Sequence, residues 1–192
     1  MGEPGYLEKP DEAGMERADK HIQRVGTIVF FVFLLVAVGG YFGLPLLFEF
    51  PTELAERLGF AAVASVFLWV WVLIGVGMVS TGRRFSPEDI GGSAAGPPSE
   101  KIAIPAAFLQ NTLEQAALLS AALLGLSVLV SGDYLAVIPA AVVFFGVGRV
   151  LFYRGYARGV EGRALGMNLT MMPAIVGYLW IFGLVPWRFF VG

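Results

Sequence analysis

The sequence predicts an all-α integral membrane helical bundle with five transmembrane helices. The 192-residue chain is 57% hydrophobic and only 15% charged; a soluble domain is nearer half apolar and a quarter charged. Its apolar residues gather into five runs, near residues 27–47, 58–79, 102–130, 134–152 and 169–185. Each run, the last with its flanks Met167 and Trp187, reaches or approaches the roughly 20 residues that span a hydrocarbon core. In lipid such runs must be helical, because an isolated strand would leave its backbone unpaired.

The first 24 residues are polar and mixed in sign. They read as a cytoplasmic tail (residues 1–24) with an interfacial helix near residues 12–24. The apolar run that follows starts too late and is too long for a cleaved signal peptide. That run and its loop form a second unit, residues 25–57, and Gly39 and Gly43 in it offer a close-packing face. The remaining runs form a four-helix membrane domain, residues 58–192. The second run carries Phe67, Trp69 and Trp71. Pro105 falls in the first turn of the third, where its missing N–H costs nothing. Pro139 and Pro173 fall early in the fourth and fifth, where a bend is tolerated. Little more than Ser131-Gly132-Asp133 joins the third run to the fourth, so those two helices are expected to be adjacent and antiparallel. The linker over residues 81–98 is rich in glycine, proline and serine and reads as a flexible surface loop.

Charge orients the bundle. Five spans put Lys9, Arg17, Lys20, Arg24, Arg83, Arg84, Lys101, Arg149, Arg154, Arg158 and Arg163 on one side, against Arg57 and Arg188 on the other. Eleven cations against two place the N-terminus in the cytoplasm and the C-terminus outside. The absence of targeting features suits a prokaryotic inner membrane. With no cysteine and one histidine, His21, disulfides, thiolate or histidine metal clusters and a Ser-His-Asp triad are excluded. No metal is expected. No nucleic-acid partner is expected either, because the basic residues hug the membrane.

Two charges fall inside apolar runs, Glu114 and Arg149. Charges at membrane depth are costly and are functional candidates by default. Asn111, Glu114 and Gln115 share one helix face by their i, i+3, i+4 spacing. Arg149, Tyr153, Tyr156 and Arg163 share another if their helix continues past the membrane. Both charges lie at similar depth, so Glu114 and Arg149 are expected to meet, within one chain or across a subunit boundary. A salt bridge that only fixes packing remains open, as do arginines placed by the positive-inside rule and tyrosines of an interfacial belt. Arg149, Arg154, Arg158 and Arg163 together, with Asn111, Gln110, Gln115, Tyr153 and Tyr156, suit an anionic ligand with several carboxylates.

At these residues the chain resembles the MAPEG family, the membrane-associated proteins in eicosanoid and glutathione metabolism. Asn111-x-x-Glu114 carries part of the likeness. The stretch Arg149-x-x-Phe-Tyr-Arg-Gly155-Tyr-Ala-Arg158-x4-Arg163 is similar to the family's Arg-x-x-Tyr-x-x-Gly-Tyr-Ala-Arg-x4-Arg signature. The resemblance covers about residues 60–185 and implies that the last four helices form a MAPEG-like core. It also implies a homotrimer that binds glutathione between subunits near the cytoplasmic side, and a thiolate that attacks a lipophilic small molecule. By position Asn111, Glu114, Gln115, Arg149, Tyr153, Tyr156 and Arg158 would hold the co-substrate, and Arg83, Arg84 and Arg163 would serve catalysis. The chain departs from the family at Ala107, where an arginine is usual, and at Gln115 and Phe152, where tyrosines are usual. The first helix has no counterpart in the family core. Two functions follow: a glutathione or other low-molecular-weight thiol transferase or peroxidase acting on lipophilic electrophiles, or a non-catalytic scaffold that binds membrane lipids.

Overall fold

The computed structural model describes the backbone of residues 11–190 and the side chains as far as Trp187. Lys9, with the rest of the tail over residues 1–10, lies outside the described residues, and so does the side chain of Arg188. Five long helices are present: α1 (Glu12–Gly43), α2 (Leu54–Arg84), α3 (Glu100–Leu129), α4 (Val137–Tyr156) and α5 (Gly159–Phe190). All five are long and apolar enough to cross a membrane.

The tail and the first span form one helix. Asp11 caps it by accepting a hydrogen bond from the Gly14 N–H at 2.8 Å, which satisfies one of the orphan donors of the first turn. Lys20 and Glu16 pair one turn apart on its exposed part. The chain therefore enters the membrane without a break after Arg24, and no separate interfacial helix forms among the described residues.

Helices α2, α3, α5 and α4 form a ring in that order, each packed on the next, and α1 lies outside against α5 and α4. Consequently α3 and α4 are antiparallel but diagonal, and touch each other least of these pairs. The two helices are antiparallel and in contact as expected, but only narrowly, across the diagonal. The turn Gly132–Ala136 joins their ends, and α2 and α5 flank the diagonal on either side. At this end Gly132 N–H donates to the Pro51 carbonyl at 3.1 Å, and Arg57 Nη1 donates to the Val130 carbonyl at 2.7 Å.

Close backbone approach fixes the α4–α5 pair. A Cβ on Gly166 would lie 2.1 Å from Phe152 N, and one on Gly155 would lie 2.0 Å from Gly162 O. The approach of α1 is set elsewhere than expected. Gly39 and Gly43 face open space, whereas a Cβ on Gly26 would meet Asn168 Oδ1 at 2.9 Å. Val29 and Phe33 of α1 enter the core, and Phe33 meets Phe144 edge to face with centroids 5.1 Å apart.

Helices α3 and α5 begin earlier than their apolar runs, which moves two prolines inward. Pro105 is inside α3 and Pro173 is near the middle of α5, so the carbonyls of Lys101 and Leu169 lose their i+4 donor. The linker after α2 is also more ordered than its composition predicts. Asp89 accepts from Ser86 Oγ at 2.5 Å, from Ser99 N–H at 2.8 Å and from Ser99 Oγ at 2.6 Å. Ser99 is the N-cap of α3, so one carboxylate ties the middle of the linker to the start of that helix. These bonds, the Ser86 hydroxyl first, hold the Asp89 carboxyl below its ordinary pKa against the opposing effect of burial.

Candidate functional site

Arg149 is the largest fully buried side chain described. Gly148 beside it allows the local crossing, since a Cβ there would meet Gly166 O at 2.9 Å. Arg149 Nη1 donates to Asn111 Oδ1 at 2.8 Å and to Thr112 Oγ1 at 3.3 Å, and Nη2 donates to Thr170 Oγ1. The guanidinium also lies over the rings of Phe152 at 4.7 Å and Phe145 at 5.5 Å. Three helices, α3, α4 and α5, are thus pinned to one cation at the α3–α4 diagonal. Its Nε finds no partner among the described residues.

Glu114 takes no part in this. Its carboxylate accepts from Gln110 Nε2 at 3.2 Å and is exposed on the chain's outer surface. The expected Glu114–Arg149 contact is absent within the chain, and complete enclosure of Arg149 keeps a neighbouring subunit's carboxylate from reaching it as well. Helix geometry gives the reason. At about 100° per residue, the direction midway between Asn111 and Thr112 lies roughly 110° from Glu114. A helix that turns Asn111 and Thr112 inward therefore turns Glu114 outward. Gln115 is buried on the inner side, and its Oε1 has no hydrogen-bond partner among the described residues.

Toward the arginine-rich end a cavity of about 270 Å³ opens beside this network. Asn111 and Ala107 of α3, Phe152 and Tyr156 of α4, Arg163 and Asn168 of α5, and Ile22 of α1 line it. The helix does not continue from Tyr156 to Arg163. It breaks at the turn before Gly159, whose φ of +76° favours glycine. The turn still brings the two residues together: the Arg163 guanidinium lies 4.6 Å from the centre of the Tyr156 ring. Asn111 bridges the two regions, since it lines the cavity and accepts from Arg149.

The other sequence candidates stand apart. Tyr153 packs on Phe108 with centroids 5.3 Å apart and lines a different hollow between α2 and α3, with Met78 and Pro105. Arg158 is exposed beside the turn. Arg83 donates to Ser93 Oγ at 2.7 Å inside the linker, and Arg84 lies over the ring of Phe85 at 5.7 Å. Neither borders the cavity. Sequence reasoning missed Thr112, Thr170 and Asn168. Thr112 neighbours Asn111 and Thr170 sits one turn after Gly166, but a hydroxyl in an apolar helix often bonds its own backbone, and both threonines do so.

Among the described residues no group of histidine, cysteine or acidic side chains is arranged to hold a metal. No curated protein and no solved structure matches the chain. The model of the MAPEG family matches residues 58–183, which span α2 to most of α5 and include Asn111, Arg149, Tyr156 and Arg163. The bundle is helical and membrane-spanning as that family requires, and the match takes in about two thirds of the chain: the protein belongs to the MAPEG family.

Proposed function

We propose that the protein transfers a low-molecular-weight thiol, with glutathione as the prime candidate, to lipophilic electrophiles that reach it from the bilayer. The observation that carries this reading is the cavity beside Asn111, Tyr156 and Arg163. Its residue types fit an anionic peptide thiol. Arg163 supplies a half-buried guanidinium that can take a carboxylate in a fork. Asn111, held by Arg149, and Asn168 offer neutral polar groups. A thiol near Arg163 would be ionised more readily, because a positive field lowers its pKa and the thiolate is the nucleophile. On attack the thiolate sulfur bonds to the electrophilic carbon, the carbon–halogen bond breaks, halide leaves, and the thiol proton passes to water.

At about 270 Å³ the cavity is smaller than the roughly 300–1,000 Å³ typical of pockets for drug-sized ligands. It accommodates part of a tripeptide, and a neighbouring copy in a homotrimer completes the enclosure. Arg83, Arg84, Glu114, Gln115, Tyr153 and Arg158 then act from outside this cavity or from another subunit. With the N-terminus in the cytoplasm, the cavity's mouth would face soluble thiols.

Calorimetry of the purified protein with glutathione, followed by conjugation of a halo-aromatic in lipid, tests the proposal. Binding should be saturable, and Arg163→Ala should weaken it about tenfold or more, the value of a hydrogen bond to a charged group. Absence of binding and of thiol-dependent turnover refutes it. One observation favours a non-catalytic scaffold as the second reading: the terminal nitrogens of Arg149 donate to Asn111, Thr112 and Thr170, which ties three helices together. Under that reading Arg163→Ala leaves the protein's behaviour unchanged.

A further inference from the structure

Helix α1, which lies outside the matched residues 58–183, builds a second cavity at the opposite end of the bundle. It measures about 610 Å³ and runs between Phe30, Leu34 and Val38 of α1 and Val137, Val176 and Leu179 of α4 and α5. Its walls are hydrocarbon along the membrane-spanning stretch. Only at the end nearest the α3–α4 turn do polar atoms appear, on Tyr41, Tyr134 and Trp180. The Tyr41 and Tyr134 rings are 5.2 Å apart and the Tyr134 and Trp180 rings 6.2 Å apart. Such aromatics mark the level where hydrocarbon meets headgroups. A groove that is apolar below this level and polar at it matches one acyl chain with its ester end uppermost.

The rim selects the headgroup. Asp133 adjoins Tyr134, and Glu49, Glu56 and Asp133 line the neighbouring hollow. By sequence this end carries Glu49, Glu53, Glu56 and Asp133 against Arg57 and Arg188, and the Arg57 guanidinium is engaged by the Val130 carbonyl. The field over the groove repels an anionic headgroup and favours an ammonium group. We propose that the α1–α4–α5 groove is a lipid site that holds an acyl chain of a phospholipid with an ammonium headgroup, in the leaflet opposite the arginine-rich end. The site is independent of the thiol reading and stands whether or not the protein is an enzyme.

The test reconstitutes the full chain in nanodiscs of equal phosphatidylethanolamine and phosphatidylglycerol and reads lipids retained after release into native mass spectrometry. The expected result is one lipid retained per subunit, with phosphatidylethanolamine about fivefold preferred, the ratio that one charge near a membrane surface supplies. Val38→Trp fills the groove from an exposed position and should abolish retention. Val66→Trp, on the exposed face of α2 away from the groove, should leave it intact. The combined Glu49→Gln, Glu56→Gln, Asp133→Asn variant should keep the lipid and lose the preference. Retention unchanged by Val38→Trp, or phosphatidylglycerol held equally by the unaltered chain, overturns the proposal. So does a cross-link between two copies through Val38→Cys, since the parent has no cysteine and such a bond means that a second copy covers the groove.

Discussion

Arg149 carries its charge into the bundle with neutral partners alone, and its full burial suits it, under the proposed thiol reading, to positioning Asn111. Both threonines that accept from it also donate to their own helix, Thr112 to Phe108 O at 2.6 Å and Thr170 to Gly166 O at 3.0 Å. Removing the guanidinium therefore strands only the Asn111 amide. Arg149→Met should fold, because an apolar replacement of a buried charge is often neutral or better. Thr170→Val, which leaves the charge and removes an acceptor, should cost about 1.5–3 kcal/mol, read as a lower apparent Tm in detergent. If Arg149 acts on a thiol ligand through Asn111, Arg149→Met and Asn111→Ala each weaken binding, and the double variant binds no worse than Asn111→Ala alone. Additive losses in that cycle would show that Arg149 acts by another route. At this scale the sequence singled out Asn111 and Arg149 but neither their threonine partners nor the contact between them. The spacing of Asn111 and Arg149 was legible because charge and amide stand out in apolar helices. The partner was not, because a shift of about 100° per residue decides between Thr112 and Glu114, and only packing fixes that rotation.

Helices α4 and α5 cross on bare backbone, and the crossing shapes the cavity wall that holds Tyr156 and Arg163. Gly166→Ala would drive a methyl into Phe152 N, where the contact is backbone and cannot rotate away. A loss of at least about 1–3 kcal/mol is expected, with loss of thiol binding, whereas Gly39→Ala, in open space, should change neither. Amide exchange and thermal unfolding of the two variants check this. The linker between α2 and α3 gives a pH prediction. The Asp89 carboxyl is held below its ordinary pKa in the folded chain, so its contribution is complete above the unfolded value near 3.9 and fades as pH falls below that value. Amide exchange over residues 86–99, corrected for intrinsic rate, should rise in that acid range, and Asp89→Asn should raise it already at neutral pH. Helix number and type were plain from hydropathy, since lipid leaves the backbone few choices. Helix ends were not, because the polar turns of α1 and α5 continue past the apolar runs and hydropathy does not register them. The order of the linker was hidden for a related reason: Asp89 and Ser99 act through a contact ten residues apart inside a stretch whose composition reads as loop.

The whole chain leaves one charge in an awkward place. Glu114 faces outward from α3 with Gln110 as its partner, flanked on the exposed surface by Leu113 and Leu118. Left against lipid, a carboxylate within an apolar span is costly. Covering it with polar groups of a second copy removes most of that cost, and the same contact would wall in a thiol too large for the cavity of about 270 Å³. A homotrimer, as the family suggests, would account for both features if its subunits met on the outer face of α3. On that basis the intact complex should weigh three chains by native mass spectrometry. Glu114→Leu makes the face compatible with lipid and removes the reason to associate, so it should shift the population toward single chains while each chain keeps its helical content. Thiol binding should fall with the trimer fraction, although Glu114 lies outside the cavity, and should recover as protein concentration restores assembly. A trimer that survives Glu114→Leu with unaltered thiol affinity would move the subunit contact to another face and leave Glu114 to water at the membrane's edge.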